Sequence, residues 1–245
     1  MKLALSRPIT SFGFGSRKLS FALPVLAAFL ISSCSSSSTS CDKSSGIAEF
    51  GKSPHVVILL DDSSSMEYLA SEVVEGFNNL ISGLPQSATV SLYGFGTGKN
   101  LSVIHERQSA STFPVLNLQT YVPDGQTPLY DSVSNMLTRF ESESAIQRMK
   151  PTTFIIISDG GENSSISYSL NQTREKMRNA QSRGTKILFF ALGTEAAEEA
   201  INLGIPASST REFNPDSDGV EEVFDNIGGG FGQGVDSTQC QSLIP

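Results

Sequence analysis

Hydrophobic residues along the chain alternate between short continuous runs and segments with helical spacing. Two runs are almost wholly apolar, VVILL at 56–60 and FIII at 154–157. Such runs are typical of strands that are buried on both faces of a parallel sheet. Each run ends abruptly in polar residues, at the point where open α/β sheets bind their ligands.

Segments with helical spacing separate these strands and predict the rest of the fold. Helices are predicted from Glu67 to a stop at Gly83 and Pro85, from Pro128 as the first helical residue, over 169–183, over 196–203 and through 220–227. Further strands are predicted at 89–95, 101–105, 187–192 and 211–213, the first two joined by a turn at 96–100. This order predicts a doubly wound α/β fold, with a mostly parallel central sheet, flanking helices and one antiparallel edge strand.

Oxygen-bearing side chains follow both apolar runs. Asp61, Ser63 and Ser65 follow the first run at alternate positions, and Asp159 follows the second. Thr127 lies in a polar loop just before a predicted helix. Hard oxygen ligands of this kind suit a small divalent cation such as Mg²⁺. Each feature alone also fits a simpler structure, namely a serine-rich turn, an Asp-Gly-Gly turn or a threonine helix cap.

Together these residues resemble the metal-ion-dependent adhesion site (MIDAS) of von Willebrand factor A domains. The chain has Asp-x-Ser-x-Ser, a later loop threonine and a later strand-end aspartate in the family's order, and the resemblance spans 56–227. It implies direct metal contact by the three hydroxyls and contact largely through water by the two aspartates. The implied metal is Mg²⁺, with Mn²⁺ or Ca²⁺ as alternatives. Such weak donors leave the ion able to bind an Asp or Glu of a partner protein.

Four further residues distinguish these loops. Ser64 stands where the family often has glycine, and strand alternation turns the carboxylate of Asp62 away from the metal. Asp124 and Glu162 lie in the same loops, where extra negative charge would favour a cation but penalise an acidic partner.

The overall charge argues against a nucleic-acid partner. The chain has 17 basic and 25 acidic residues in 245, giving a formal net charge of -8. It has no basic stripe with interleaved aromatic residues, and an acidic surface repels phosphate.

The beginning of the chain has the features of an exported lipoprotein. A basic leader precedes a mostly apolar stretch at 20–33 that is too short to span a bilayer comfortably. Its end, Ile31-Ser32-Ser33-Cys34, resembles a bacterial lipobox, which implies cleavage before Cys34 and attachment of lipid, palmitate included, to that residue. Ser35 then resembles the signal for the outer membrane. An ordinary signal peptide with an incidental Cys34, or an uncleaved anchor, remains an alternative.

These features predict a domain organisation and one disulfide. The segments are a signal peptide at 1–33, a serine-rich tether at 34–52, the α/β domain at 53–228 and a glycine-rich tail at 229–245. Cys41 and Cys240 lie near opposite ends of the mature chain, and export implies an oxidising compartment. Since the termini of compact domains often lie close together, a Cys41–Cys240 disulfide is predicted, with two free thiols as the alternative.

The sequence therefore predicts a membrane-anchored binding module that holds a partner through a metal-bridged acidic residue. One alternative is a metal-independent structural or interaction lipoprotein, and a less favoured one is a metal-assisted hydrolase. Against an enzyme, His55 and His105 are far in sequence from any carboxylate pair, and no Gly-x-Ser-x-Gly motif occurs.

Overall fold

The structure, a computed structural model, describes residues 55–96, 99–142 and 152–230. The strands in these ranges are β1 His55–Asp61, β2 Thr89–Gly96, β3 Lys99–Ser109, β4 Thr152–Ser158, β5 Lys186–Leu192 and β6 Thr210–Phe213. The α-helices in the same ranges are α1 Ala70–Gly83, α2 Leu129–Glu141, α3 Leu170–Ser182, α4 Thr194–Asn202 and α5 Ser217–Gly229.

The strands form one sheet with the order β3-β2-β1-β4-β5-β6. All neighbouring strands are parallel except β2 and β3, which pair in antiparallel orientation at one edge. The predicted doubly wound fold with one antiparallel edge strand is therefore confirmed.

Both faces of the central strands are buried. On β1, Val56, Ile58 and Leu60 pack in a core with α1 and α5, whereas Val57 and Leu59 pack in a second core with α2, α3 and α4. The continuous apolar run was the right signal because every second side chain needs a core on its own side of the sheet.

Several element boundaries differ from the sequence prediction. A 3₁₀ helix, Ser64–Leu69, precedes α1, so the α-helix begins at Ala70 instead of Glu67. Strand β3 runs from Lys99 to Ser109, so the predicted strand was too short and the predicted turn too long. Three register irregularities in the pairing of β2 with β3 break the alternation of side chains that marks a strand in a sequence. Helix α5 continues through Gly229, one residue into the predicted tail.

The sheet topology places the candidate site. Strands β1 and β4 are adjacent and parallel, so the loops after Asp61 and Ser158 leave the same edge of the sheet. This edge is called the carboxyl edge below. Among the described residues, no helix is both long and apolar enough to cross a membrane.

Candidate metal site at the carboxyl edge

Asp61, the last residue of β1, is fully buried and held from three sides. Its Oδ1 accepts a hydrogen bond of 2.9 Å from the Ser63 backbone N–H, and its Oδ2 accepts one from the Ser158 hydroxyl. The Tyr121 hydroxyl donates to the Asp61 backbone carbonyl at 2.7 Å. The carboxylate is thus fixed at the point where β1 ends.

A chain of hydrogen bonds joins the loop after β1 to the loop after β4. The hydroxyl oxygens of Ser63 and Ser65 are 3.1 Å apart, and the Ser65 hydroxyl donates to Asp159 Oδ1 at 2.8 Å. Ser63 is buried, whereas Ser65 is exposed to solvent. With the bond between Ser63 and Asp61, four of the five predicted ligands are therefore linked, although 94 residues separate Ser65 from Asp159.

Thr127 lies beside the same loop. Its backbone N–H donates to Asn163 Oδ1 at 2.8 Å, and its carbonyl accepts from the Asn163 N–H at 3.2 Å. A Cβ built on Gly160 would lie 3.9 Å from Thr127 Oγ1. The structure thus brings all five predicted residues to one edge of the sheet; their role as metal ligands stays a prediction.

Ser64 has a structural role in connecting the first two loops. Its N–H donates to the Gly125 carbonyl at 3.0 Å, and its hydroxyl accepts from the Gly125 N–H at 2.7 Å. The Asp124 N–H donates to the Asp62 carbonyl at 2.7 Å. A glycine at position 64 would lose the side-chain bond, so serine gives this chain a tighter loop connection.

The Asp62 side chain lies beside the end of β2. A Cβ on Gly94 or on Gly96 would come within 2.5 Å of one of its carboxylate oxygens. The two glycines of β2 therefore make the space that the Asp62 side chain fills.

Sequence reasoning missed Asp131, a fully buried carboxylate in the first turn of α2. It accepts hydrogen bonds of 2.7 to 3.1 Å from the backbone N–H groups of Ile166, Ser167 and Tyr168. An acidic residue in the first turn of a helix is common, so the sequence carried no signal for this contact.

Glu162 connects the same two regions. Its carboxylate accepts from the Tyr130 N–H at 2.8 Å, and from the N–H groups of Ser164 and Ser165 at 2.8 and 2.5 Å. The sequence prediction had considered this charge as part of the metal environment. In the structure the Glu162 carboxylate is bonded to backbone amides. Glu162 and Asp131 together hold the loop after β4 against the start of α2.

The two aspartates of the site have raised pKa values. Burial raises the pKa of Asp61 to about 7, against the opposing hydrogen bonds from Ser158 and Ser63. Burial also raises the pKa of Asp159; the bond from Ser65 lowers it and the charge of Glu195 raises it further. Burial is the largest cause of both shifts, and a bound cation would relieve this cost of negative charge.

The set of donors fits a hard cation that is held mainly by hydroxyls. It comprises two carboxylates and three hydroxyls, all oxygen, which is the ligand chemistry of Mg²⁺. Within the three described ranges, no three His, Cys, Asp or Glu side chains come together as a metal cluster. A cation at this edge would be held by the serine and threonine hydroxyls together with the two carboxylates.

Neither histidine lies at the carboxyl edge. His55 is the first residue of β1, and its Nε2 is 2.9 Å from the Ser91 hydroxyl. With a rise of roughly 3.3 Å per residue, it lies about 20 Å from Asp61. The His105 ring, on β3, packs edge-on against Phe113 with ring centres 5.0 Å apart.

The predicted lipidation and disulfide residues, Cys34, Cys41 and Cys240, lie outside the described residues.

Comparisons with known proteins agree with this fold. A family model described as "von Willebrand factor type A domain" matches residues 54–203. Proximal thread matrix protein 1 from the mussel byssus is similar in structure, with a TM-score of 0.53, 15% identity, and coverage of 75% of this chain and 46% of that one. The same mussel protein "with zinc occupied MIDAS motif" gives a TM-score of 0.52, 14% identity, and coverage of 73% and 48%.

A further similar structure is the VWA domain of SpRpn10, with a TM-score of 0.50, 12% identity, and coverage of 75% of this chain and 99% of that one. No curated protein matches the sequence. The chain covers less than half the length of the mussel protein, and at these identities the structural likenesses show the fold alone.

Proposed function

This chain belongs to the von Willebrand factor type A domain family, and we propose that its domain binds a partner protein through a divalent cation at the carboxyl edge. The residues that would hold the cation are Asp61, Ser63, Ser65, Thr127 and Asp159. The observation that carries the proposal is the hydrogen-bonded chain from Ser63 through Ser65 to Asp159, which brings donors from two separate loops together.

The chemistry of these residues supports a role in binding. A divalent cation, Mg²⁺ or alternatively Mn²⁺ or Ca²⁺, would supply positive charge that the two carboxylates balance formally. The neutral hydroxyls add no charge, so the site would remain attractive to one further carboxylate, from an Asp or Glu of the partner. The buried Asp61 and the connected loops fix this geometry before the partner arrives, which lowers the ordering cost of binding.

The proposed setting is the outer membrane of the bacterial cell envelope, with the domain tethered through lipid on Cys34. Several acyl chains, at about 0.8 kcal/mol per buried methylene, hold a protein firmly on a bilayer. Radiolabelled palmitate should appear in the wild-type protein and be absent from Cys34→Ala.

The proposed Cys41–Cys240 disulfide is tested by non-reducing peptide mapping. Two alkylatable thiols in the exported protein would contradict it.

The binding proposal is tested by capturing partners from a cell-envelope extract on the full-length protein. We expect capture in Mg²⁺ and its loss in a chelator or in Asp159→Asn. Asp225→Asn is the matched control, because it removes an exposed carboxylate on α5 that contributes nothing to the site. Capture that survives both the chelator and Asp159→Asn would favour the alternative of a metal-independent interaction lipoprotein.

The enzyme alternative has its own test. We propose that the protein is not an enzyme, a view supported by the position of both histidines away from the carboxyl edge. Phosphoester hydrolysis by the purified protein that Asp159→Ala abolishes would reverse this ranking in favour of a metal-assisted hydrolase.

A further inference from the structure

Large apolar side chains are exposed in the loops around the proposed metal site. The described ranges contain seven such residues, and Tyr68, Val122 and Ile166 belong to the segments that contribute metal donors; their side chains are 62%, 59% and 90% exposed. These three residues are called the apolar rim below. Exposed apolar side chains beside a polar site offer a partner protein apolar surface that would otherwise stay in water.

Two of the rim residues are held in place by hydrogen bonds. The Tyr68 hydroxyl donates to the Pro215 carbonyl at 3.0 Å, and Tyr68 lies in the 3₁₀ helix Ser64–Leu69, three residues after Ser65. The Ile166 N–H donates to the buried Asp131 carboxylate at 3.0 Å. A fixed backbone with an exposed side chain loses little conformational freedom when a partner covers it.

Val122 is fixed through its neighbours. Val122 directly follows Tyr121, and the Tyr121 hydroxyl donates to the Asp61 carbonyl. Asp124 comes two residues after Val122, and the Asp124 N–H donates to the Asp62 carbonyl. Each rim residue therefore belongs to a segment that is hydrogen-bonded to the site itself or to a loop of the site.

The charges in the loops of the site limit what the partner can carry. Every charged residue in the loops 61–69, 121–128, 159–169 and 214–216 is acidic. The cation would bind a single carboxylate of the partner directly, but a second carboxylate would face these acidic loops without a metal contact.

We propose that the apolar rim selects partner segments in which one acidic side chain is flanked by apolar side chains and has no second acidic neighbour. This inference rests on the proposed function, since the acidic side chain is the one that the cation would bind. The apolar neighbours would cover Tyr68, Val122 and Ile166, and the acidic loops would reject segments with two or more carboxylates.

The probe is a random peptide library displayed on phage, selected on the Mg²⁺-loaded full-length protein and eluted with a chelator. We expect the eluted peptides to share one acidic residue with apolar residues beside it, and to be depleted of acidic pairs. The best peptide is then resynthesised, and its affinity for the wild type and for variants is measured by fluorescence anisotropy.

Ile166→Ser is expected to lower the affinity for this peptide by about ten-fold or more, because the burial of a large aliphatic side chain against the peptide is lost. The matched control is Ile201→Ser, which removes a side chain that is 70% exposed near the end of α4, on a helix that leads away from the carboxyl edge. Both variants should retain the wild-type Mg²⁺ affinity and unfolding temperature, since neither side chain packs in a core.

The possible failures are distinguishable. If no peptide is eluted by the chelator, or if the eluted peptides lack an acidic residue, both the proposed function and this inference are wrong. If acidic peptides are selected without apolar neighbours, or if Ile166→Ser binds them as well as Ile201→Ser does, the inference is wrong while the proposed function stands.

Discussion

Asp61 makes the metal-free protein sensitive to pH in a predictable direction. Its fully buried carboxyl has a pKa of about 7, whereas the unfolded chain leaves it in water with a pKa of about 4. Because the folded pKa is the higher one, the stability gained from protonation is fully present below about pH 4 and is lost as the pH rises through 7. At about 1.4 kcal/mol per pKa unit, the loss amounts to about 4 kcal/mol.

The perturbation that isolates this effect is Asp61→Asn. The asparagine oxygen can still accept from the Ser63 N–H, and the Ser158 hydroxyl keeps the Gly160 carbonyl, 3.1 Å away, as an acceptor. In the presence of a chelator, we expect the unfolding free energy of the wild type to fall relative to that of the variant, by up to about 4 kcal/mol between pH 4 and pH 8. Urea unfolding at a series of pH values measures this difference.

A stability difference between the two proteins that stays constant with pH would refute the reasoning. Mg²⁺ supplies a second test: at pH 8 and at about 100 times its dissociation constant, it should stabilise the wild type by about 2.7 kcal/mol. It should leave Asp61→Asn nearly unchanged. Protons compete with the cation for Asp61, so the Mg²⁺ affinity of the wild type should fall as the pH drops below about 7.

Two further predictions concern residues that support the site, and a third concerns the packing of α5. Ser158→Ala removes the hydroxyl that donates to Asp61 Oδ2 and should weaken Mg²⁺ binding by about ten-fold or more in calorimetry; unchanged affinity would contradict its positioning role. Asp131→Ala leaves three loop N–H groups without their carboxylate acceptor. We expect the unfolding free energy measured in urea to fall by at least about 3 kcal/mol. A loss below about 0.5 kcal/mol would show that the loop does not depend on Asp131. Gly219→Ala would place a Cβ against a backbone carbonyl and should lower the melting temperature, while Gly229→Ala, with nothing within 4 Å, should not; equal effects would contradict this packing of α5.

The sheet was predictable because its signal is local. A strand between two cores needs apolar side chains at every position, so runs such as 56–60 and 154–157 identify β1 and β4 and their neighbouring polar ends. Strand β3 was predicted too short because its pairing with β2 is irregular, and Glu106 and Arg107 within it are polar. Edge strands can carry such residues, since one side of the strand faces solvent.

The placement of the site could be predicted in part. The order of oxygen-bearing residues identified the segments that meet at the carboxyl edge, because parallel neighbouring strands bring their ends together. The support from Ser158, Asp131 and Asn163 was not predictable, since their partners are 35 to 97 residues away and depend on how the loops fold. Contacts between distant loops leave no periodic pattern in the sequence.

Calorimetric titration of the full-length protein with Mg²⁺ and with Mn²⁺ tests the central claim most directly. We expect one bound cation per chain, with the affinity reduced at least about ten-fold in Ser65→Ala and in Asp159→Asn. Ser182→Ala, which removes a hydroxyl at the end of α3, should bind as the wild type does. A metal site at the carboxyl edge would be contradicted if the folded protein bound neither cation. It would also be contradicted if Ser65→Ala and Asp159→Asn bound the cation as tightly as Ser182→Ala does.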